Sequence, residues 1–228
     1  LTLHTMEDKV MKSLRTCPLF AGMSDVEIEL TLDNVPHQLV SLPAHEVYAL
    51  AGMPCRHVDI VVSGFLICRM AALSGKQVEV SRLRSGNLVA PAFVFSKDRS
   101  LPVSVETDGR VDLFRMQPEA LKMLMDTDET IRMNFIRILS NIDVFLTRKM
   151  KILSLFTVRE KVAYLLLERA GEQGSDEIHL DRSRQEIADS FGIQKFSLLR
   201  VLSALEKEGV IEIKGKNIKI LDRHKLSR

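Results

Sequence analysis

Apolar residues recur along this chain with two periods, and each period predicts a different kind of element. Between His37 and Thr107 the runs HQLVSL, EVYAL, HVDIVV, FLICRM, QVEVSRL and PVSVET are short and β-prone, separated by Pro43, Gly52, Pro54, Gly64, Gly75, Gly86 and Pro102. Regularly spaced short strands with turn residues between them predict a β-sandwich or roll. From about Asp126 to Ser154 no Gly or Pro intervenes, and Ile131, Phe135, Ile138, Ile142, Phe145 and Leu153 mark a helical stripe. A helix that long, apolar over more than one face, needs partners on more than one side. One side is expected on the roll and the other on a second copy, although an internal core helix would show the same stripe. Ahead of the roll, two helical stretches from Met6 to Leu32 flank CPLFAGMS, with Ser24 as the cap of DVEIELTL. Behind the long helix, a joint near Ser154 reads as a hinge. Ser154 to Ala170 then restarts as a helix with Thr157 as its cap, and Gly171 to Asp181 reads as a polar connection.

The most informative stretch is Arg182 to Ile213, RSRQEIADSFGIQKFSLLRVLSALEKEGVIEI. Ser183 with Glu186 three residues later is a capping box, which starts a helix near Arg184. Ile187, Ala188 and Phe191 give that helix a small apolar face, and Gly192 supplies the backbone freedom that a tight turn between helices needs. A second helix is predicted from Lys195 to Lys207, with Leu198, Val201, Leu202 and Leu205 inward and Lys195, Phe196, Ser197 and Arg200 outward. Beyond Gly209, VIEI and NIKIL alternate across Lys214, Gly215 and Lys216 as a short hairpin would. The whole reads as a winged helix-turn-helix whose outward face suits a major groove.

Charge sharpens that picture. The net charge of +2 hides an asymmetry: from Arg148 onward there are 17 basic and 12 acidic residues, and before it 15 and 18. A basic C-terminal part fits a polyanion. Three cysteines, Cys17, Cys55 and Cys68, without C-x-x-C spacing fit a reducing compartment. No apolar run approaches the roughly 18 residues of a membrane span, so a cytoplasmic location is expected with no membrane partner. The chain shows no H-E-x-x-H, G-x-G-x-x-G, Walker loop or G-x-S-x-G, and its six histidines do not cluster, which argues against an enzyme.

RQEIA, Gly192, Arg200 and the pattern L-x-x-L-E-x-x-G-x-I from Leu202 to Ile211 resemble the Crp/Fnr family of bacterial transcription regulators. The resemblance extends to the family's sensor roll in CPLFAGM, the IVVSGFLI run around Gly64, the SGKQ turn at Ser74 to Gln77 and LRSGN at Leu83 to Asn87. It implies an α+β chain: a cyclic-nucleotide-binding-like roll over 1–125, a dimerisation helix over 126–154 with Ile131, Phe135, Ile138, Ile142 and Phe145 on the dimer face, and a DNA-binding domain over 155–228. It further implies a homodimer, an inverted-repeat operator on double-stranded DNA and RNA polymerase as a partner. The DNA-contacting candidates are Arg184, Gln185, Gln194, Lys195, Phe196, Ser197, Arg200, Lys214 and Lys216. The family's recognition helix carries Ser-Arg-Glu-Thr before its arginine, whereas Gln194, Lys195, Phe196 and Ser197 stand here. Phe196 offers a ring to a thymine methyl, but an aromatic at this spacing equally serves a core. Lys214, Lys216 and Lys219 are either phosphate contacts or a solvated hairpin face.

The family's cyclic AMP site uses a Gly-Glu pair and an arginine; the matching segment here is GNLVAPAFVFSKDRSLPV, with Pro91 in the glutamate's place, which argues against cyclic AMP. Three scattered cysteines argue against an iron-sulfur cluster. The APA-x-x-F segment with LPV resembles the HcpR-like branch, which responds to nitrosative stress, and an apolar pocket of Ala90, Pro91, Phe93 and Phe95 with Arg99 nearby suits haem as a sensor of nitric oxide or another diatomic gas. Met70, His57 and Met150 are then the candidate iron ligands, with His45 beside them. The alternatives are a sensor of another small, cyclic-nucleotide-like ligand, and a ligand-binding scaffold whose winged helix contacts protein.

Overall fold

The structure is a computed structural model that describes residues 7–71 and 77–227, and its chain groups into two compact units that divide between Asp143 and Val144. Ser74 to Lys76 of the expected SGKQ turn lie outside the described residues. Among those described, no helix is long and apolar enough to cross a membrane.

The first unit opens with α1 (Asp8–Thr16) and α2 (Asp25–Leu32). The expected cap of α2 forms as a full capping box, in which the Ser24 and Glu27 side chains each take the other's backbone amide. Seven strands follow: β1 (His37–Leu42), β2 (Val47–Ala49), β3 (Val58–Ser63), β4 (Leu66–Ala71), β5 (Gln77–Leu83), β6 (Ser104–Thr107) and β7 (Val111–Met116). They pair antiparallel in two sheets, β1-β7-β3 and β2-β6-β4-β5. The six expected strands are present, and β7 joins them at the centre of its sheet. Its signal is weak in the sequence because it is covered on both faces, so that Leu113 and Phe114 are adjacent and both buried. Phe114 and Met116 pack into a cluster with α1 and α2, while Val111 and Leu113 pack into a second cluster with Leu66, Cys68 and Val105. Helices, first sheet and second sheet are thus stacked as layers around two sheets of core.

One ion pair crosses the inner sheet. Asp59 of β3, fully buried, faces Arg115 of β7 in register and accepts its Nε at 2.8 Å and its Nη2 at 2.6 Å. The Tyr48 hydroxyl donates to the same carboxylate at 2.7 Å. On the same central strand, Asp112 accepts from Lys9, Ser41 and Ser63, tying α1 to the strands on either side. These groups hold its carboxyl well below the usual carboxylate range. Gly64, at φ +78°, allows a close approach at the β3–β4 turn, where a Cβ would stand 2.3 Å from the Arg110 carbonyl. Ala90 adopts φ +48° without that freedom, just before Pro91, a left-handed conformation that strains an L-residue.

The long helix expected from about Asp126 to Ser154 is present, and a separate, shorter helix precedes it. Helix α3 (Pro118–Thr127) ends at Asp128, whose side chain accepts the Ile131 amide at 3.0 Å and starts α4 (Glu129–Leu155). The residues expected on a dimer face do not share one environment. Ile131 and Phe135 are buried in the core of the roll unit and Ile138 packs against it, because the first turns of α4 supply the apolar side that closes that core. Buried Asn134 fixes the same turns by donating to the Leu19 and Ala21 carbonyls. Ile142 is partly buried, and Phe145 is exposed along with Val144, Leu146 and Met150.

The second unit contains the end of α4, α5 (Val158–Gln173), β8 (Glu177–His179), α6 (Arg184–Ser190), α7 (Lys195–Lys207), β9 (Ile211–Lys214), β10 (Asn217–Ile220) and α8 (Arg223–Leu226). Thr157 caps α5 in a capping box with Glu160. The joint expected near Ser154 is packed on both sides: Ile152 is buried in this unit's core, and Phe156 meets Tyr164 edge to face. The polar connection contains β8, which adds a third strand in the order β8-β10-β9.

Asp59→Ala should lower the unfolding free energy of the roll by about 3–5 kcal/mol in urea titration, since it strands a largely buried guanidinium, whereas the double replacement Asp59→Leu with Arg115→Met should cost far less. A single mutant as stable as the double one contradicts this account of the pair. Relief of strain makes Ala90→Gly stabilising and Ala90→Val destabilising, each by about 1 kcal/mol in the same assay, and equal midpoints for the two variants would show that residue 90 carries no strain.

Candidate nucleic-acid interface and sensor cavity

Three apolar residues of α7 decide what the rest of that helix shows. Leu198, Leu202 and Leu205 are buried against Ile187, Ala188 and Phe191 of the α6 region, Val162 and Leu166 of α5, and Ile211 and Ile218 of the hairpin. At 100° per residue, the positions opposite them are Phe196, Arg200, Ser203 and Lys207, and all four are exposed. Phe196 is 72% exposed in the first turn, so of its two readings the packed one does not hold. Lys195 lies to the side of this line, nearer the core edge, and Ser197 is partly buried.

The turn between α6 and α7 is held from three directions. Gly192 takes φ +62°, the left-handed conformation that the tight turn requires. The ammonium of Lys161, almost buried, donates to the Phe191 carbonyl at 3.3 Å, and the Lys149 ammonium lies 5.2 Å from the Phe191 ring. The expected capping box at Ser183 and Glu186 starts α6. At the other end of α7, Glu206 accepts the Ile213 amide at 2.9 Å, and Arg159 grips Glu208 through two hydrogen bonds at 3.1 and 2.7 Å.

Other candidates are partly committed to the fold. Arg184 is half-buried and donates to the Gly215 carbonyl at 2.8 Å, which ties α6 to the tip of the hairpin; burial pushes its pKa down. Gln185 is exposed and donates to Asp189 at 2.9 Å. Gln194 is exposed at the N-cap of α7, where its side chain makes no capping hydrogen bond. In the wing, Lys214 pairs with Glu212 and Lys219 with Glu177, while Lys216 is exposed at the tip. A cavity of about 400 Å³ along β8 and β10 is lined by the same Glu177–Lys219 and Glu212–Lys214 pairs and by His179, which is bonded to Asn217.

The expected effector residues do not share one cavity. Ala90 lines a pocket of about 230 Å³ with His57, Arg56, Cys55, Tyr48, Met53 and Arg115. Pro91 lines a separate cleft of about 250 Å³ beside Pro18, Leu88 and Ile138. Phe93 packs against the core, Phe95 is exposed and meets Phe135 edge to face, and Arg99 is exposed, its carbonyl accepting the Cys55 amide. Of the candidate iron ligands, His57 lines the first pocket; burial pushes its imidazole toward the neutral form. Met70 is exposed at the end of β4, Met150 is exposed in the C-terminal unit, and His45 is exposed at a turn with φ +59°. Within the first unit neither Met70 nor His45 lines the pocket of His57, and that pocket, at about 230 Å³, falls below the roughly 300–1,000 Å³ of small-molecule sites, so the residues of this unit do not fit haem. The three thiols are buried, and burial pushes Cys17 up to about 12.

Comparison with known proteins bears on both units. Residues 160–228 match the model of the Crp-like helix-turn-helix domain. Over 112 residues, 47% of this chain, the sequence is 30% identical to Electron transport regulator A of Shewanella oneidensis; the match spans 45% of that relative, less than half its length. Two solved structures cover most of the chain. FixK2 from Bradyrhizobium japonicum superposes with a TM-score of 0.60 at 19% identity, over 84% of this chain and 96% of its own. The catabolite activator protein of Thermus thermophilus gives 0.55 at 22% identity, over 92% and 96%. The C-terminal unit therefore carries a Crp-like helix-turn-helix domain, and the α+β fold of the chain is that of these two solved structures.

Proposed function

We propose that this chain is a sequence-specific DNA-binding transcription regulator of the Crp/Fnr type that works as a homodimer. The observation that carries the reading is the outward line of α7, where Phe196, Arg200, Ser203 and Lys207 stand exposed on a helix whose opposite side is locked into the core. A helix of this kind fits the major groove, its first turns toward base edges and its later basic residue toward phosphate. The wing supplies Lys216 and, once released from their carboxylates, Lys214 and Lys219.

Self-association is supported by α4. Leu146, Met150 and Leu153, spaced four and three residues apart, are exposed on one side of its second half, with exposed Phe145 beside them. A second copy of the same helix would cover them, and the resulting two-fold symmetry would set two α7 helices against an inverted repeat. Haem does not enter this reading, because Met70 does not line the pocket of His57.

Duplex binding by the wild-type chain should fall steeply with salt, and Arg200→Ala should weaken binding to a selected operator by at least tenfold while changing the affinity for random duplex much less. Binding that is indifferent to salt would point instead to a protein partner for the winged helix. In sedimentation velocity, the wild-type chain should run as a dimer and Phe145→Glu with Leu146→Glu as a folded monomer; a dimer that survives both charges has its interface elsewhere.

A further inference from the structure

We infer that Phe196 and Arg200 read one short word of DNA between them: a thymine, recognised through its 5-methyl group, and a guanine within about two base pairs of it. The inference rests on the DNA-binding reading above.

Phe196 contributes nothing to the fold that would explain an aromatic ring. It is 72% exposed, it lies opposite the buried line of Leu198, Leu202 and Leu205, and among the described residues it has no aromatic or cationic partner. Leu199, three residues on and also exposed, widens the apolar end of α7. A phenyl ring has no donor or acceptor, so it cannot take part in the hydrogen-bond code of the base edges. The apolar feature that B-DNA offers in the major groove is the thymine methyl, and a ring presented there gains by covering it.

Arg200 stands one turn further along the same line, exposed and with its guanidinium in no ion pair among the described residues. A free guanidinium in the major groove matches guanine, whose O6 and N7 accept its paired N–H groups. Four residues of helix advance about 6 Å, and successive bases are about 3.4 Å apart, so the two side chains reach positions about two base-pair steps from one another. Ser203 and Lys207, further along the line, then lie where the helix leaves the groove for the backbone.

The experiment is selection of binding sites from a random duplex library with the full chain, followed by affinity measurements on the enriched site with thymine replaced by deoxyuridine, which removes only the methyl. The expected half-site contains thymine and guanine within two base pairs, and the methyl's loss weakens wild-type binding about fourfold per half-site. Phe196→Ala should bind the thymine and uracil sites equally and select no base at that position, while Arg200→Ala should lose the guanine. Because the uracil comparison changes only the DNA, it stands whether or not a variant folds. Equal wild-type affinity for thymine and uracil at every position, or an unchanged thymine preference in Phe196→Ala, would overturn the assignment and leave DNA binding intact. If no sequence is enriched at all, both the assignment and the DNA-binding reading fall.

Discussion

The burial of Leu198, Leu202 and Leu205 is the constraint on which the outward face of α7 depends. A helix has one rotation about its axis that seats these three residues together, and that rotation decides which side chains face outward. The polar ties around it are secondary but directional. Lys161 holds the turn, Glu206 holds the hairpin and Arg159 holds the end of α7 through Glu208. Each of these charged groups is used inside the unit, which leaves Phe196, Arg200, Ser203 and Lys207 exposed on the outward line of the helix.

The roll is organised by a different kind of interaction. A carboxylate with no solvent exposure and a guanidinium at 17% exposure face each other across neighbouring strands, and the two-pronged geometry satisfies both oxygens of Asp59 while Tyr48 adds a third donor. Such a pair fixes which residues of β3 and β7 lie opposite one another more than it adds to stability. It also occupies the wall of the pocket beside His57, so that a ligand there would meet an arginine already neutralised by its partner.

Much of this was legible in the sequence where a local rule decides the structure. The three capping boxes at Ser24, Thr157 and Ser183 need only a side chain and an amide three residues apart, and six strands of the roll follow from turn residues between β-prone runs. What local rules could not show was how surfaces are shared. The stripe on α4 is continuous in the sequence, yet Ile131 and Phe135 close the core of one unit, Ile152 belongs to the core of the other, and the exposed Phe145 lies between them in the chain. Strand β7 was hidden by being apolar on both faces. The effector segment was misleading for the same reason: Ala90, Pro91, Phe93 and Phe95 are neighbours in sequence, but the turn at Pro91 sends them into two clefts, the core and the surface.

The hydrogen bond from Arg184 to the wing has a consequence for how this domain can change. Its acceptor is a main-chain carbonyl, at Gly215, and Gly215 itself takes φ +62°. The link between the first helix and the wing tip is therefore indifferent to the side chains on either side of that glycine. Lys214 and Lys216 can drift in size and charge, changing the surface that the wing presents, while the frame that positions them stays fixed by one glycine and one arginine.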